Sequence, residues 1–376
     1  MSVEPTGDQR LFQTTTREFL DRTVPIETVR ELADTTTGFD DQWWRRGAAL
    51  GWTAMLVPES LGGGSVSGQP MTELALVAEE FGRTCAPGPL IPTSAVLAGL
   101  APAGDRFADV IAEVVSGGTI AAWALYEPGH GLDLSAPGTR AEPDGTGYRL
   151  TGVKDRVEAG DRADLFLVTA HGSDGPIQVL VRADTPGVTV TPTWTLDLVR
   201  HTARVEFANV LIDAEAVVHK GETASTATQS QLHVAAALAA AESVGATRRT
   251  FDTTMTWMFD RYTFGRPLAS NQALKHRMAD NKTWLEACHA TARAAAVAID
   301  ENPSTAAEFV SVAKSYIGTK APVIVQDCVQ IHGGIGVTWE HDLHLFLRRV
   351  TYGRALYGTA QEHHRRITDL LVRGAA

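Results

Sequence analysis

The feature that most restricts what this chain can fold into is a change of residue pattern that occurs twice along it. From about Gln9 to Gly118, apolar residues recur near every 3.6 positions, the spacing of helices with one buried face. Leu11–Val24 and Trp43–Leu50 carry that spacing, and Met71–Gly82 reads as a helix ended by glycine. From about Ala121 to Asp213 the pattern shifts to short runs of β-formers: Tyr148–Val153, Leu165–Thr169, Ile177–Val181, Val188–Val190 and Ala203–Phe207. Asp144-Gly145, Asp174-Gly175 and Pro186-Gly187 punctuate them as turns, and no helix intervenes, which predicts an antiparallel sheet or barrel. From about Gln229 to Val372 helical spacing returns in longer runs, Gln231–Phe259, Gln272–Asp300 and Thr305–Gln330. Pro303, in Glu301-Asn302-Pro303-Ser304, separates the last two. The expected class is α+β: an N-terminal helical domain over residues 1–120, a middle antiparallel β domain over 121–215, and a C-terminal four-helix bundle over 225–376.

Composition narrows the function classes. A formal net charge of −11 argues against a nucleic-acid partner, because phosphate backbones call for a basic surface. No apolar run reaches the roughly 18–20 residues of a membrane span. The polar opening MSVEPTGDQR lacks the layout of a signal peptide, so the chain reads as cytoplasmic. Cys85, Cys288 and Cys328 lie far apart and form neither a disulfide framework nor a zinc motif. Gly62–Gly64 admits two readings, a phosphate cradle or a flexible loop; the absence of a following Lys-Ser/Thr favours the loop. Glu340-His341 with His344, and His363-His364, carry no further ligand set and read as hydrogen-bonded or solvated histidines rather than metal ligands.

Several motifs then occur in a fixed order: Tyr126-Glu-Pro-Gly-His-Gly-Leu-Asp133, Arg261-Tyr-Thr-Phe-Gly-Arg-Pro-Leu268, Asn271-Gln272, Met278-Ala279-Asp280, and Gln330-Ile-His-Gly-Gly-Ile-Gly336. With LGWTAMLVPESLGGG and ALVAEEFGRTCAPGPL they resemble the acyl-CoA dehydrogenase family over nearly the whole chain. The resemblance implies the family's fold, FAD as cofactor and α,β-desaturation of an acyl-CoA thioester. It also implies a homo- or hetero-tetramer with a homologous subunit, and an electron-transfer acceptor. It gives Arg261, Phe264, Gln272, Gln330, Gly333, Gly334 and Tyr126 as cofactor-binding candidates. Most of these would serve a neighbouring subunit's flavin. A guanidinium such as Arg261 suits a pyrophosphate by charge and forked geometry, and Gly333 and Gly334 let backbone approach a ligand.

The reaction needs a carboxylate to take the α-proton. Relatives place it in a Tyr-Glu-Gly-Thr segment, which this chain writes Leu356-Tyr357-Gly358-Thr359, or 26 residues before the arginine, which is Ala235 here. Neither is an acid. Glu242, in an alanine stretch about two helical turns beyond Ala235, is a candidate base; the alternative is a structural carboxylate paired with a bundle arginine. Glu362 reads as solvated, and a phenol at Tyr357, with an ordinary pKa of about 10, is a poor base at neutral pH. The flavin loop also departs from the family, with Tyr126, Leu132 and Arg156 where relatives carry Thr, Ser and Trp. Lys154-Asp-Arg-Val-Glu158 stands for Lys-x-Trp-x-Thr. Gly336-Val-Thr-Trp-Glu-His341 and His363-His364-Arg365-Arg366 look like an actinobacterial branch, including enzymes of steroid side-chain degradation, that pairs two different subunits. The expected role is a desaturase subunit. The alternatives are a non-catalytic partner completing another chain's FAD site, or a same-fold oxidase or monooxygenase.

Overall fold

The structure, a computed structural model, describes residues 4–35, 38–132, 138–301 and 303–374; Asp133 of the motif loop and Asn302 of the helix break lie outside them. Six helices come first: α1 (Gly7–Thr23), α2 (Ile26–Ala33), α3 (Asp41–Ala48), α4 (Pro70–Thr84), α5 (Leu90–Leu100) and α6 (Ala108–Val115). At their centre Trp43 and Trp52 each lie within about 6.5 Å of Phe19, of Phe81 and of each other, in tilted and edge-on contacts. α5 escapes an amphipathic reading because nearly all its residues are buried, leaving no polar face to set a period.

The strands follow: β1 (Ala121–Ala124), β2 (Arg140–Asp144), β3 (Gly147–Glu158), β4 (Leu165–Gly172), β5 (Gly175–Arg182), β6 (Val188–Thr193), β7 (Thr202–Ile212) and β8 (Val217–Lys220). They pair in the order β6-β7-β3-β2-β4-β5-β8, with β1 on β4. The expected antiparallel pattern needs one correction. β1 runs parallel to β4 through Ala121↔Leu165 to Ala124↔Val168, and β2 meets β4 in one parallel bridge. β1 enters from the helical segment and leaves through the motif loop, so no hairpin turn dictates its direction. β3 is bulged between Lys154 and Val157, where Arg156 takes a left-handed backbone (φ 49°). A bulge re-aims side chains, and this one sets both Arg156 and Glu158.

The C-terminal helices are α7 (Gly221–Asp260), α8 (Gln272–Glu301), α9 (Pro303–His332), α10 (Leu343–Gly353) and α11 (Ala360–Gly374), with a small β9–β10 hairpin (Tyr262–Thr263, Arg266–Pro267) between α7 and α8. α7 begins ten residues before the sequence suggests. Its first turns are rich in Ser and Thr, weak helix formers, and the helix holds there through tertiary bonds such as Gln178 to Thr228 (3.0 Å) and to Gln231 (2.6 Å). The alanine stretch 235–241 is buried because α7 crosses α4 closely. A Cβ on Gly82 would lie 1.8 Å from the Glu242 carbonyl oxygen, and one on Gly245 would lie 1.8 Å from that of Glu79. Small residues there are a packing requirement. α7, α8 and α9 run antiparallel, so the end of α7, the start of α8 and the end of α9 share one end of the bundle.

Candidate functional site

The structure divides the candidate residues between two places. Tyr126 lies inside, between the sheet and the helices, with Tyr357. Arg261, Phe264, Gln272, Gln330, Gly333 and Gly334 lie together at the exposed end of the bundle.

Inside, Tyr357 fills the position at which the family's glutamate is expected. Its backbone is left-handed (φ 53°), followed by Gly358 at φ 108°, and this turn swings the ring inward. Gly358 is required, because a Cβ would come within 2.4 Å of His363 Nε2. The imidazole of His363 donates from Nε2 to the Tyr357 carbonyl (2.9 Å) and faces the Ser311 hydroxyl through Nδ1 (3.3 Å). Burial keeps it neutral, pushing its pKa down to about 3. The buried Tyr357 ring stacks on Trp123 at 6.3 Å and 12° and lies 6.3 Å from Tyr126. The Arg156 guanidinium covers the Tyr126 ring at 4.6 Å. Burial drives the Tyr357 hydroxyl well above the ordinary phenol range, and it donates to Glu158 Oε2 at 3.0 Å.

Glu158 opens a buried ionic chain that the sequence did not reveal. Arg200 Nη1 lies 3.0 Å from Glu158 Oε1, and its Nη2 donates to both oxygens of Glu242 (2.5 and 2.6 Å). Arg349 donates to Glu242 (2.9 Å) and to Asp197, and also to the Ala86 and Cys85 carbonyls at 3.1 and 3.2 Å. Glu242 therefore has two guanidiniums on its carboxylate, the geometry of a structural anion. Burial raises the Glu158 carboxyl, and Arg200 opposes that.

A cleft of about 990 Å³ opens outside this interior, lined by Leu132, Thr169, Gln229, His233, Arg365 and Arg366 among others. Tyr126, Glu158, Glu242 and Tyr357 are not on its wall. Its acids are Glu362 and Asp369. Glu362, expected in solvent, instead accepts from the Leu132 amide and from the Thr359 amide and hydroxyl, each at 2.8 Å. Thr359 in turn accepts from the Glu362 amide, so the pair forms a capping box that starts α11 and ties it to the motif loop.

The motif loop is also held from below. Buried Lys154 donates to Glu127 (2.7 Å) and to the Leu125 carbonyl (3.1 Å), while the Thr139 amide donates to Glu127 at 2.9 Å. Burial alone would raise the Glu127 carboxyl, but Lys154 and the Thr139 amide outweigh it and bring it down to about 2. A carboxyl depressed by folding stabilises the native state above its unfolded pKa and loses that contribution as pH falls through its folded value. The stability gap between the native chain and a Lys154→Met variant is thus expected to shrink from pH 4.5 toward pH 2. Thermal midpoints measured across that range test this, and a gap independent of pH would reject it.

At the bundle end the chain is open. Arg261 caps α7 and stands 5.8 Å from the Trp257 ring; Phe264 is fully exposed at the hairpin tip with φ 52°. Gln272 begins α8 and Gln330 lies in the last turn of α9, both exposed. A Cβ on Gly333 or Gly334 would meet nothing within 4 Å. Tyr262, Val337 and Trp339 expose large apolar surface around them, at 63%, 74% and 56%. An apolar, unpartnered end carrying a free guanidinium is a surface built to be covered.

The comparisons agree with this architecture. The chain matches the acyl-CoA dehydrogenase N-terminal domain over residues 6–106, the middle domain over 122–210 and the C-terminal domain over 225–371. Acyl-CoA dehydrogenase IpdE2 of Mycolicibacterium smegmatis is 29% identical over 96% of this chain and 97% of its own. A solved variant of the Tcur3481-Tcur3483 steroid acyl-CoA dehydrogenase is 30% identical over 98% of each chain, with a TM-score of 0.88. The ChsE4-ChsE5 complex of Mycobacterium tuberculosis is 28% identical over 99% of each chain, also at 0.88. The chain belongs to the acyl-CoA dehydrogenase family, whose members are flavin-dependent oxidoreductases acting on CoA thioesters. Among the described residues, no helix is long and apolar enough to cross a membrane, and no group of three or more His, Cys, Asp or Glu side chains could hold a metal ion.

Proposed function

We propose that this chain takes part in the α,β-desaturation of an acyl-CoA thioester as one subunit of an assembly with a homologous chain, completing that partner's flavin site with its own bundle end. The observation that carries this is Tyr357, buried against Trp123 and bonded to Glu158 where a base should face the substrate. No acid of the inner chain reaches the cleft, and Glu242 is committed to two arginines. Two of the solved relatives are named as pairs of different chains, Tcur3481-Tcur3483 and ChsE4-ChsE5, which supports a mixed assembly here.

The cofactor in question is FAD, which members of the family bind. The bundle end suits it: Arg261 would hold the pyrophosphate by charge, Gln272 and Gln330 would offer amide hydrogen bonds, and Gly333 and Gly334 leave room for close backbone approach. When bound, FAD supplies the acceptor for the hydride leaving the β-carbon. This chain's residues hold and orient that group from the outside, while the partner's carboxylate takes the α-proton and a separate electron-transfer protein completes the redox balance. Tyr126 has no such role in this reading, because Arg156 already covers its ring.

The test is flavin content. Purified alone, the chain is expected to carry little FAD and to leave acyl-CoA unchanged. Co-expressed with a homologous neighbour, it is expected in a complex holding about one FAD per pair. Stoichiometric FAD and acyl-CoA oxidation by the lone chain would overturn the assignment.

A further inference from the structure

The cleft of about 990 Å³ has no role in the half-site reading, yet its floor carries a side-chain arrangement with chemistry of its own. Ser311, on α9, lines it, and His363, on α11, lies behind; they are 2% and 1% exposed. Several helical hydroxyls in this chain return to the carbonyl one turn back, as Thr228 does to Ala224, Ser243 to Ala239 and Thr319 to Ser315. Ser311 departs from that pattern. Its hydroxyl faces His363 Nδ1 at 3.3 Å, its one side-chain hydrogen bond among the described residues.

His363 is fixed for the complementary role. Its Nε2 lies 2.9 Å from the Tyr357 carbonyl, which can only accept, so Nε2 carries the proton and Nδ1 turns its lone pair to Ser311. Gly358 makes room for the ring, since a Cβ there would come within 2.4 Å of Nε2. A hydroxyl, an imidazole ready to take its proton and a carbonyl that orients the imidazole are the parts of an activated nucleophile. A spacing of 3.3 Å is at the loose end for such a pair, as is common before a substrate closes on it. Arg366 adds a fourth part. It lies three residues past His363, hence on the same face of α11, and lines the cleft. It makes no hydrogen bond or ion pair among the described residues. Burial lowers its pKa against the pull of Glu362, whose carboxylate is itself bonded to the Leu132 and Thr359 amides. An unengaged guanidinium beside a nucleophile can steady the oxygen that turns negative when a carbonyl is attacked.

We propose that Ser311, His363 and Arg366 form an ester-hydrolysing site in this chain's own cleft, independent of flavin. Ser311 Oγ bonds to the ester carbonyl carbon while its proton passes to His363 Nδ1, and Arg366 holds the developing oxyanion. The bond from that carbon to the alkoxy oxygen then breaks, and the Nδ1 proton leaves with the alkoxide as an alcohol. Water adds to the acyl-serine, its proton goes to Nδ1 and on to Ser311 Oγ, and a carboxylic acid departs. Nothing is oxidised or reduced. Buried where its charged form is costly, the His363 ring gives up its extra proton readily. An alkoxide needs that proton and a thiolate does not, so alkyl esters are the fitting class rather than CoA thioesters.

The lone chain is treated with a fluorophosphonate probe and the adduct mapped by peptide mass. Acid release from methyl butyrate is followed by pH-stat titration, with butyryl-CoA alongside. One adduct per chain is expected, on Ser311, with turnover of the ester and none of the thioester. Ser311→Ala should remove both adduct and turnover, while Ser315→Ala, about one helical turn on, should keep both. His363→Gln, which loses the base, should slow turnover about a hundredfold, and Arg366→Met at least about tenfold. Ser311→Cys, close in volume, guards against a folding failure: it should move labelling from the fluorophosphonate to iodoacetamide at the same position. No adduct on Ser311, an adduct retained in Ser311→Ala, ester turnover unchanged in His363→Gln, or thioester hydrolysis as fast as the ester's would overturn the proposal. None of these measurements involves flavin, so the site stands or falls apart from the FAD content of the co-expressed complex.

Discussion

Replacing Arg349 with methionine is expected to destabilise the chain by about 3–5 kcal/mol, the usual cost of removing one partner from a buried ionic group. Arg349 is 2% exposed and holds four acceptors at once: Glu242, Asp197 and the carbonyls of Cys85 and Ala86. Methionine approximates its length but satisfies none of them. Asp197 would lose its arginine, and Glu242 would keep only Arg200. The carbonyls matter as well, because Cys85 ends α4 in a left-handed cap (φ 51°), and Arg349 ties that cap to α10. Urea unfolding of the two proteins reads the difference directly. Arg261→Met is the control. It removes an exposed charge and should change stability by no more than about 0.5 kcal/mol. An Arg349→Met midpoint close to the native one would mean that the ionic chain is not what joins the helical layers.

This network explains what was legible in the sequence and what was not. The two changes of pattern located the helical and strand segments because burial on one face imposes a period. Arg261, Gln272, Gln330 and the double glycine stand out as candidates because they lie in contiguous motifs, and the structure brings them together, exposed, at one end of the bundle. Glu158, Asp197, Arg200 and Arg349 were missed for the opposite reason. They are distant in sequence, and each is an ordinary charged residue until β3, the loop after β6 and α10 bring them to Glu242. The bulge in β3 that turns Glu158 inward has no clear residue signature, and a carboxylate on a strand is more often solvated. Glu362 was misplaced because the capping box with Thr359 was overlooked, although Thr followed three residues later by Glu spells it.

Tyr357 then sharpens what a restored carboxylate should do. A Tyr357→Glu variant recreates the family's Glu-Gly-Thr spelling, yet it is expected not to desaturate acyl-CoA alone, and to lose a few kcal/mol of stability. The new carboxyl would lie beside Glu158, which now accepts from the Tyr357 hydroxyl at 3.0 Å. Two buried carboxyls at that range cannot both ionise cheaply, so one of them must hold a proton and cannot serve as a ready base. Arg200 does not relieve the crowding, since it already spans Glu158 and Glu242. Loss of the phenol also removes a ring from between Trp123 and Tyr126, and truncating a buried aromatic costs about 3 kcal/mol by itself. The pair Tyr357→Glu with Glu158→Thr removes the competing acid and puts back the residue type the family carries on β3. It should recover part of the stability lost to the crowded carboxyls while still lacking activity, because Arg156 and Tyr126 remain stacked over the same space. Acyl-CoA oxidation with an artificial electron acceptor, run beside thermal unfolding, decides the matter. Turnover by the single Tyr357→Glu chain would show that the interior opens to substrate and that only the missing acid kept this subunit silent.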